Sequence, residues 1–469
     1  MFWTKANTTI LVFFTIGILL LHLVAFPDYI MPFPILLAGI GAIIFFVAGL
    51  QYYSQIWSQV NNFGQRIFFT SLLFRLIAIE SLYLLTFFYD PANLPMEIHA
   101  QDSWNYHYSG SMVADALNEG RPISIALSNI WKSETDYGFA TVIGFIYYLF
   151  GKNILIIKLF NAILSSITVI RIYQIARFSY DEQRARLAGI ITMLMPPLLW
   201  FSAFYLKETI LIFLIVNIGY LTHILIVKKK LRVFNSFLIL CHFGVIFYFR
   251  VILAPLLMTC VITQVLFWKN TSKNYKLSSI LVTLLFVVGS FWVMKELGMY
   301  KYIESALEAS KDQFGNELSD TSKKRGVTYA AAIISPLLIA AAIITPFPSL
   351  LDFSDAQLGI YSHFQNEIIR NCLYFFVFLG LFNAIKKKNK GVIFIGGFAI
   401  TYIMILAASG ISFQDRFQIL ALPFLIIFMA DGIATKYPKR TKHWMRYLSA
   451  IFIVILSWNL FKLSNRGLI

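Results

Sequence analysis

The sequence predicts an all-α polytopic membrane protein of about 13 transmembrane helices, with outer-face loops that carry short interfacial helices. Three observations lead there. Hydrophobic residues make up 58% of the 469 and charged residues only 13%, with a mean hydropathy of +0.71, well outside the composition of soluble chains. Several apolar runs reach the ~20 residues that a helix needs to cross ~30 Å of hydrocarbon. Those runs lack the polar–apolar alternation of barrel strands, which leaves helices.

The formal charge of +16 does not point to nucleic acid, because the positive residues cluster at helix ends on one side, as the positive-inside rule requires. Cys241, Cys260 and Cys372 fall in apolar segments without metal-ligand spacing. They read as buried inert thiols, with neither a disulfide framework nor a zinc site. No internal repeat or low-complexity linker interrupts the chain.

Spans one and two, residues 9–26 and 32–50, form a hairpin turned by Phe26-Pro27-Asp28. The first follows a single Lys5 and has no small-residue cleavage site, so it reads as a retained helix and not a signal peptide. Span three, 67–88, holds Arg75 and Glu80, whose spacing suits two separate neighbours or cavities better than a mutual pair. The stretch Asp90 to Tyr137 is too polar for lipid; helix is expected over Ser111 to Leu117, ended by Gly120-Arg121-Pro122. Phe139 to Phe150 is too short to span and reads as an interfacial helix. Spans four to nine follow at 154–177, 186–204, 209–227, 233–249, 251–268 and 278–294. A second polar segment covers 295–326, and Ala330 to Thr345, rich in neighbouring proline, reads as re-entrant or interfacial. Spans ten to thirteen lie at 370–385, 391–409, 417–434 and beyond the basic stretch Lys436 to Arg446.

The charges give this map a direction. With the N-terminus in the cytoplasm, every lysine-rich cluster falls there, after spans four, six, eight, ten and twelve. Asp102, Lys207, Glu208, Arg250 and Arg416 then share the outer face. A carboxylate or arginine at a membrane edge is ordinarily a boundary residue, the arginine snorkelling to headgroups. Two acids and three bases on one face admit another reading. Arginine and lysine can hold a phosphate, and a carboxylate beside it can take a proton from a hydroxyl. His99 and His107 flank Asp102, but loop histidines beside aromatics pack more often than they bind metal. Trp104, Tyr106, Tyr108 and Tyr137 read as belt or loop-core aromatics, with sugar stacking as the alternative. No glycine-rich phosphate loop, zinc motif or Ser-His-Asp arrangement is present, which argues against a nucleotide as direct donor.

Several short segments, in this order and spacing, resemble the C-type glycosyltransferases, the multi-spanning group that includes aminoarabinose lipid A transferases and protein O-mannosyltransferases. Gln101-Asp102-Ser103-Trp104-Asn105-Tyr106 resembles their first outer-loop acid and the aromatics after it. Asp136-Tyr137-Gly138-Phe139, Tyr148-Leu149-Phe150-Gly151 and Lys158-Leu159-Phe160-Asn161 resemble the passage from interfacial helix into the next span. Tyr205-Leu206-Lys207-Glu208-Thr209 stands where their second acid stands, with Glu in place of the usual Asp. Phe247-Tyr248-Phe249-Arg250 and the run from Asp415-Arg416-Phe417 to Pro423 resemble later basic positions.

The resemblance implies a glycosyltransferase-like module over 67–435, with outer loops at 89–153 and 295–369. It is preceded by a hairpin and cytoplasmic loop (1–66) and followed by a basic segment and last helix (436–469). It implies an inverting transfer from a polyprenyl-phosphate-linked sugar to a hydroxyl of a glycan, lipid or protein acceptor, on the outer face of the cell (inner) membrane. Asp102 is expected as general base and Glu208 as its catalytic partner, orienting it or the sugar, or holding a divalent cation if the reaction needs one. Arg250, Arg416 and Lys207 are expected on the donor phosphate, and Tyr106, His107 and Tyr137 on the substrate; no metal ligand is assigned. A polymerase or ligase of lipid-linked glycans is the rival enzyme. A lipid or polysaccharide transporter or flippase is the rival of another class, for which midplane charges and paired inverted halves are missing.

Overall fold

Apolar runs become helices here wherever flanking residues supply a start and a stop. A computed structural model describes residues 3–97, 101–128, 137–227, 233–250, 253–268, 343–351, 364–408 and 415–464. Its helices are α1 (Lys5–Ala25), α2 (Phe33–Ile56), α3 (Phe63–Tyr89), α4 (Gln101–Asn118), α5 (Ile123–Ser128), α6 (Tyr137–Phe150), α7 (Ile154–Ser179), α8 (Glu182–Leu194) and α9 (Pro196–Ala203). Then come α10 (Glu208–Val227), α11 (Val233–Phe249), α12 (Leu253–Phe267), α13 (Phe364–Lys386), α14 (Ile393–Ala408), α15 (Asp415–Gln418), α16 (Leu422–Ala434) and α17 (Arg440–Ser464). Among the described residues a lone antiparallel bridge between Ile30 and Leu351 is the extent of β-structure.

This is the predicted all-α polytopic membrane fold. Among the described residues eight helices are long and apolar enough to cross a bilayer, and the bent pair α8–α9 makes a ninth if it is one span. The expected spans seven, eight and twelve are the shorter helices α11, α12 and α16. Span nine, the polar segment 295–326 and nearly all of 330–345 fall outside the described residues, as do His99, Asp136 and the basic run 228–232.

The structure differs from the sequence reading at four places. The run expected as one span over 186–204 bends by 47° between α8 and α9. Met195 is extended (φ −61°, ψ 115°), as the residue before Pro196-Pro197 tends to be, and neither proline can donate to the preceding turn. The polar helix expected from Ser111 begins ten residues earlier, at Gln101. Of the pair in span three, Arg75 is buried and donates from Nε to Ser165 Oγ at 2.6 Å, beside a small cavity; Glu80 is exposed on the outside of α3. Cys241 is exposed, unlike buried Cys260 and Cys372, and all three are free thiols.

α16 is apolar but for Asp431 and every one of its residues is buried, which marks it as the centre of the bundle. It crosses α13 so closely that a Cβ at Gly380 or Gly432 would lie 2.0 Å from the carbonyl oxygen of Phe428 or Phe376 respectively. Small residues permit such backbone approach between membrane helices. α1, α2, α3 and α17 are peripheral and leave large apolar side chains such as Phe13, Leu20, Ile44, Phe69 and Ile453 exposed. At the lysine-rich end, Arg184 Nε of α8 lies 2.7 Å from Asp431 Oδ1 of α16. That is an ion pair by distance, though not aligned as a hydrogen bond. Asn383 of α13 donates to the other oxygen at 3.1 Å.

Candidate active site

Both acids singled out in the sequence stand at helix starts. Asp102 lies in the first turn of α4 and Glu208 is the first residue of α10. Unpaired N–H groups and the positive end of the helix dipole favour a carboxylate at such positions. Arg416, on the short helix α15, joins them. Its Nε donates to Glu208 Oε1 at 2.7 Å and its Nη1 donates to Asp102 Oδ2. One guanidinium thus gathers positions 102, 208 and 416. The site opens outward along the same line: the side chain of Glu208 is 1% exposed, Arg416 29% and Asp102 50%.

Two more cations surround Glu208. Arg250 follows the C-terminus of α11, a position that favours positive charge, and its N–H donates to Ile246 O at 2.7 Å. Its guanidinium lies 4.8 Å from the centre of the Phe417 ring, with Nη1 a long 3.5 Å from Tyr402 Oη. Lys207 is buried next to Glu208 in sequence, and with Arg416 and Arg250 it is close enough to act on that carboxylate. Glu208 Oε2 accepts no hydrogen bond among the described residues. Burial opposes the charge on Arg416, but Glu208 and Asp102 outweigh it and raise its pKa above the ordinary value. Among the described residues no three His, Cys, Asp or Glu side chains gather as metal ligands.

The predicted substrate residues are placed differently from one another. Tyr106 is 2% exposed and packs edge-on against Phe139, and Tyr137 is buried with Val113, Leu127 and Ala140. Both rings pack in the α4–α6 contact, away from solvent. His107 is half-buried, with Nδ1 2.8 Å from Tyr147 Oη, which in turn shares a 2.8 Å hydrogen bond with Tyr205 Oη. Burial, helped by the charge of Lys152, lowers the His107 pKa. Trp104 and Tyr108 stack on each other on α4, and the Trp104 indole donates to Asn93 Oδ1 at 3.1 Å.

Sequence reasoning missed Glu97. It is buried, accepts from Ser103 Oγ, and lies 4.0 Å from the buried ammonium of Lys158. The available signal was Lys158 itself, since a lysine in a membrane run calls for a partner.

The protein is thus an all-helical multi-pass membrane protein in which Arg416 brings Asp102 and Glu208 together. Residues 137–294 match the family described as dolichyl-phosphate-mannose-protein mannosyltransferase, which supports a membrane glycosyltransferase of the C type. No curated protein matches the chain. The matched segment includes Lys207, Glu208 and Arg250, while Asp102 and Arg416 lie on either side of it.

Proposed function

We propose that the protein transfers a sugar from a polyprenyl-phosphate donor to an acceptor hydroxyl, with inversion, on the outer face of the cell (inner) membrane and with its N-terminus in the cytoplasm. The observation that carries this reading is the convergence of Arg416, Arg250 and Lys207 on Glu208, with Asp102 on the same arginine at the open side. Three cations facing two carboxylates leave one positive charge, which a phosphate complements.

Asp102 takes the proton of the acceptor hydroxyl as the new oxygen–carbon bond forms at the anomeric centre. The bond from that carbon to the phosphate oxygen breaks, and the polyprenyl phosphate departs with the electron pair. Arg416, Arg250 and Lys207 receive the charge that develops on it. Arg416 has a second part to play. A donor phosphate competes with Asp102 for its guanidinium, so donor binding frees the carboxylate that must act as base. Glu208, buried under three cations, holds Arg416 throughout. His107, with Tyr106 and Tyr137 behind it in the α4–α6 contact, shapes the face presented to the acceptor.

The test is purified protein in liposomes with a panel of labelled polyprenyl-phosphate sugars and, in parallel, nucleotide sugars. Transfer with release of polyprenyl phosphate is expected from the lipid donors alone. Turnover of a nucleotide sugar without lipid, or movement of intact lipid between leaflets without transfer, refutes the reading.

A further inference from the structure

Glu97 is a buried carboxylate that the mechanism above does not use, yet it touches both acid-bearing segments. Ser103, the residue after Asp102, donates its hydroxyl to Glu97 Oε1. The N–H of Tyr205, three residues before Glu208, is shared between Oε1 at 3.3 Å and Oε2 at 3.4 Å. The same peptide group is held from its other end, because Asn161 Nδ2 donates to Phe204 O at 3.3 Å. Asn161 lies on α7 one turn beyond Lys158, and Lys158 donates to Pro95 O at 3.1 Å while facing Glu97 at 4.0 Å. The 204–205 peptide, buried where the chain passes from α9 to α10, is therefore fixed at both its N–H and its C=O. α7, a full-length span, anchors both contacts.

We propose that Glu97 is a positioning residue: its carboxylate ties the start of α4 to the loop before α10 and so sets the separation of Asp102 and Glu208. The inference rests on the reading of those two as the acids of the reaction. Nothing in hydrogen-bond accounting demands a charged group here, since a water or a serine would satisfy one peptide N–H. A carboxylate held by a buried lysine gives the tether one fixed geometry. Reacting groups tolerate little displacement: a misplacement of about 1 Å can cost about 10²-fold in rate.

The experiment compares Glu97→Ala, Glu97→Gln, Ser103→Ala and the double variant Ser103→Ala/Glu97→Ala in the full-length protein, using whichever lipid donor supports turnover. Glu97→Ala should lower kcat by about 10²-fold, with donor KM within about twofold. Ser103→Ala, which cuts only the α4 arm, should lower it less. The double variant should be no slower than Glu97→Ala, because both changes cut one tether. Glu97→Gln keeps an acceptor for both donors and should recover most of the rate. Hydrogen exchange should rise in peptides around 101–106 and 204–208 of Glu97→Ala and stay unchanged in the α7 peptides. Wild-type kcat in Glu97→Ala and Ser103→Ala, losses that multiply in the double variant, or a loss confined to KM would each overturn the role. If Glu97→Ala fails to fold, Ser103→Ala decides alone, by whether its kcat falls at an unchanged melting temperature. Asp102→Asn separates the two readings. Its retention of near-wild-type turnover overturns the acid assignment and the tether's purpose together. Its inactivity beside a fully active Glu97→Ala overturns the positioning role only.

Discussion

Two of the protein's arginine–carboxylate clusters stand at opposite ends of one bundle, and they are built to different ends. At the lysine-rich end, Asp431 is 1% exposed and has both oxygens engaged, one by Arg184 and one by Asn383. That cluster joins α8, α13 and α16 and keeps its acid buried. At the other end one arginine serves two acids, and one of them, Asp102, is half exposed. Buried charges are costly unless fully paired. A cluster that leaves one of its two acids open to solvent is therefore better suited to a ligand than to stability.

Mutation should separate the two clusters. The largest effect is expected from Asp102→Asn, which keeps shape but removes the strong proton acceptor. Turnover measured on purified lipid donor should fall by about 10²–10⁴-fold, the range of positioned general-base catalysis, at an unchanged melting temperature. Turnover near that of the wild type would place both clusters in the same structural class. Asp431→Asn should do the reverse. It strips a buried pair of its acid and should destabilise the protein by about 3 kcal/mol, the lower end for such pairs because Arg184 keeps Asp181. Its kcat per folded molecule should stay within about twofold of wild type. A loss of turnover without loss of stability would erase the distinction.

Smaller effects sharpen the site end. Arg250→Ala and Arg416→Ala should each weaken donor binding by about 1.5–3 kcal/mol, the scale for hydrogen bonds to charged groups; unchanged donor affinity in both returns them to headgroup snorkelling. The smallest effect is a pH dependence. His107 titrates below its ordinary value in the folded protein because it is buried beside Lys152. The unfolded chain therefore binds the proton more readily, so the stability due to neutral His107 is present above pH ~6.5 and lost as pH falls through the lowered folded value. His107→Gln should flatten the fall in melting temperature between pH 7.5 and 5.5 relative to wild type; identical pH profiles would assign that fall to other groups.

Much of this arrangement was legible in the residues. The lysine distribution set Asp102, Lys207, Glu208, Arg250 and Arg416 at one end of the helices, and Arg416 does lie on both acids. What sequence could not supply was pairing between segments. Glu97 reads as one more loop acid after Pro95, because its partners are 6, 61 and 108 positions away. Tyr106 and Tyr137 offered a choice between sugar contact and loop core, and burial against Phe139 and Val113 is a property of the folded α4–α6 contact alone. The bend at Met195 was visible in Pro196-Pro197. Hydropathy hid it, since both halves are apolar and add up to one membrane crossing.

The break between α8 and α9 has a consequence for the acid that follows it. Met195 is extended, and the 47° bend there gives α9 a heading of its own. Glu208 begins α10 only five residues beyond the end of α9. The heading on which the chain reaches that carboxylate is therefore set at Pro196-Pro197, at a distance from the charges themselves. A substitution that straightened the pair would move Glu208 without touching any of its partners.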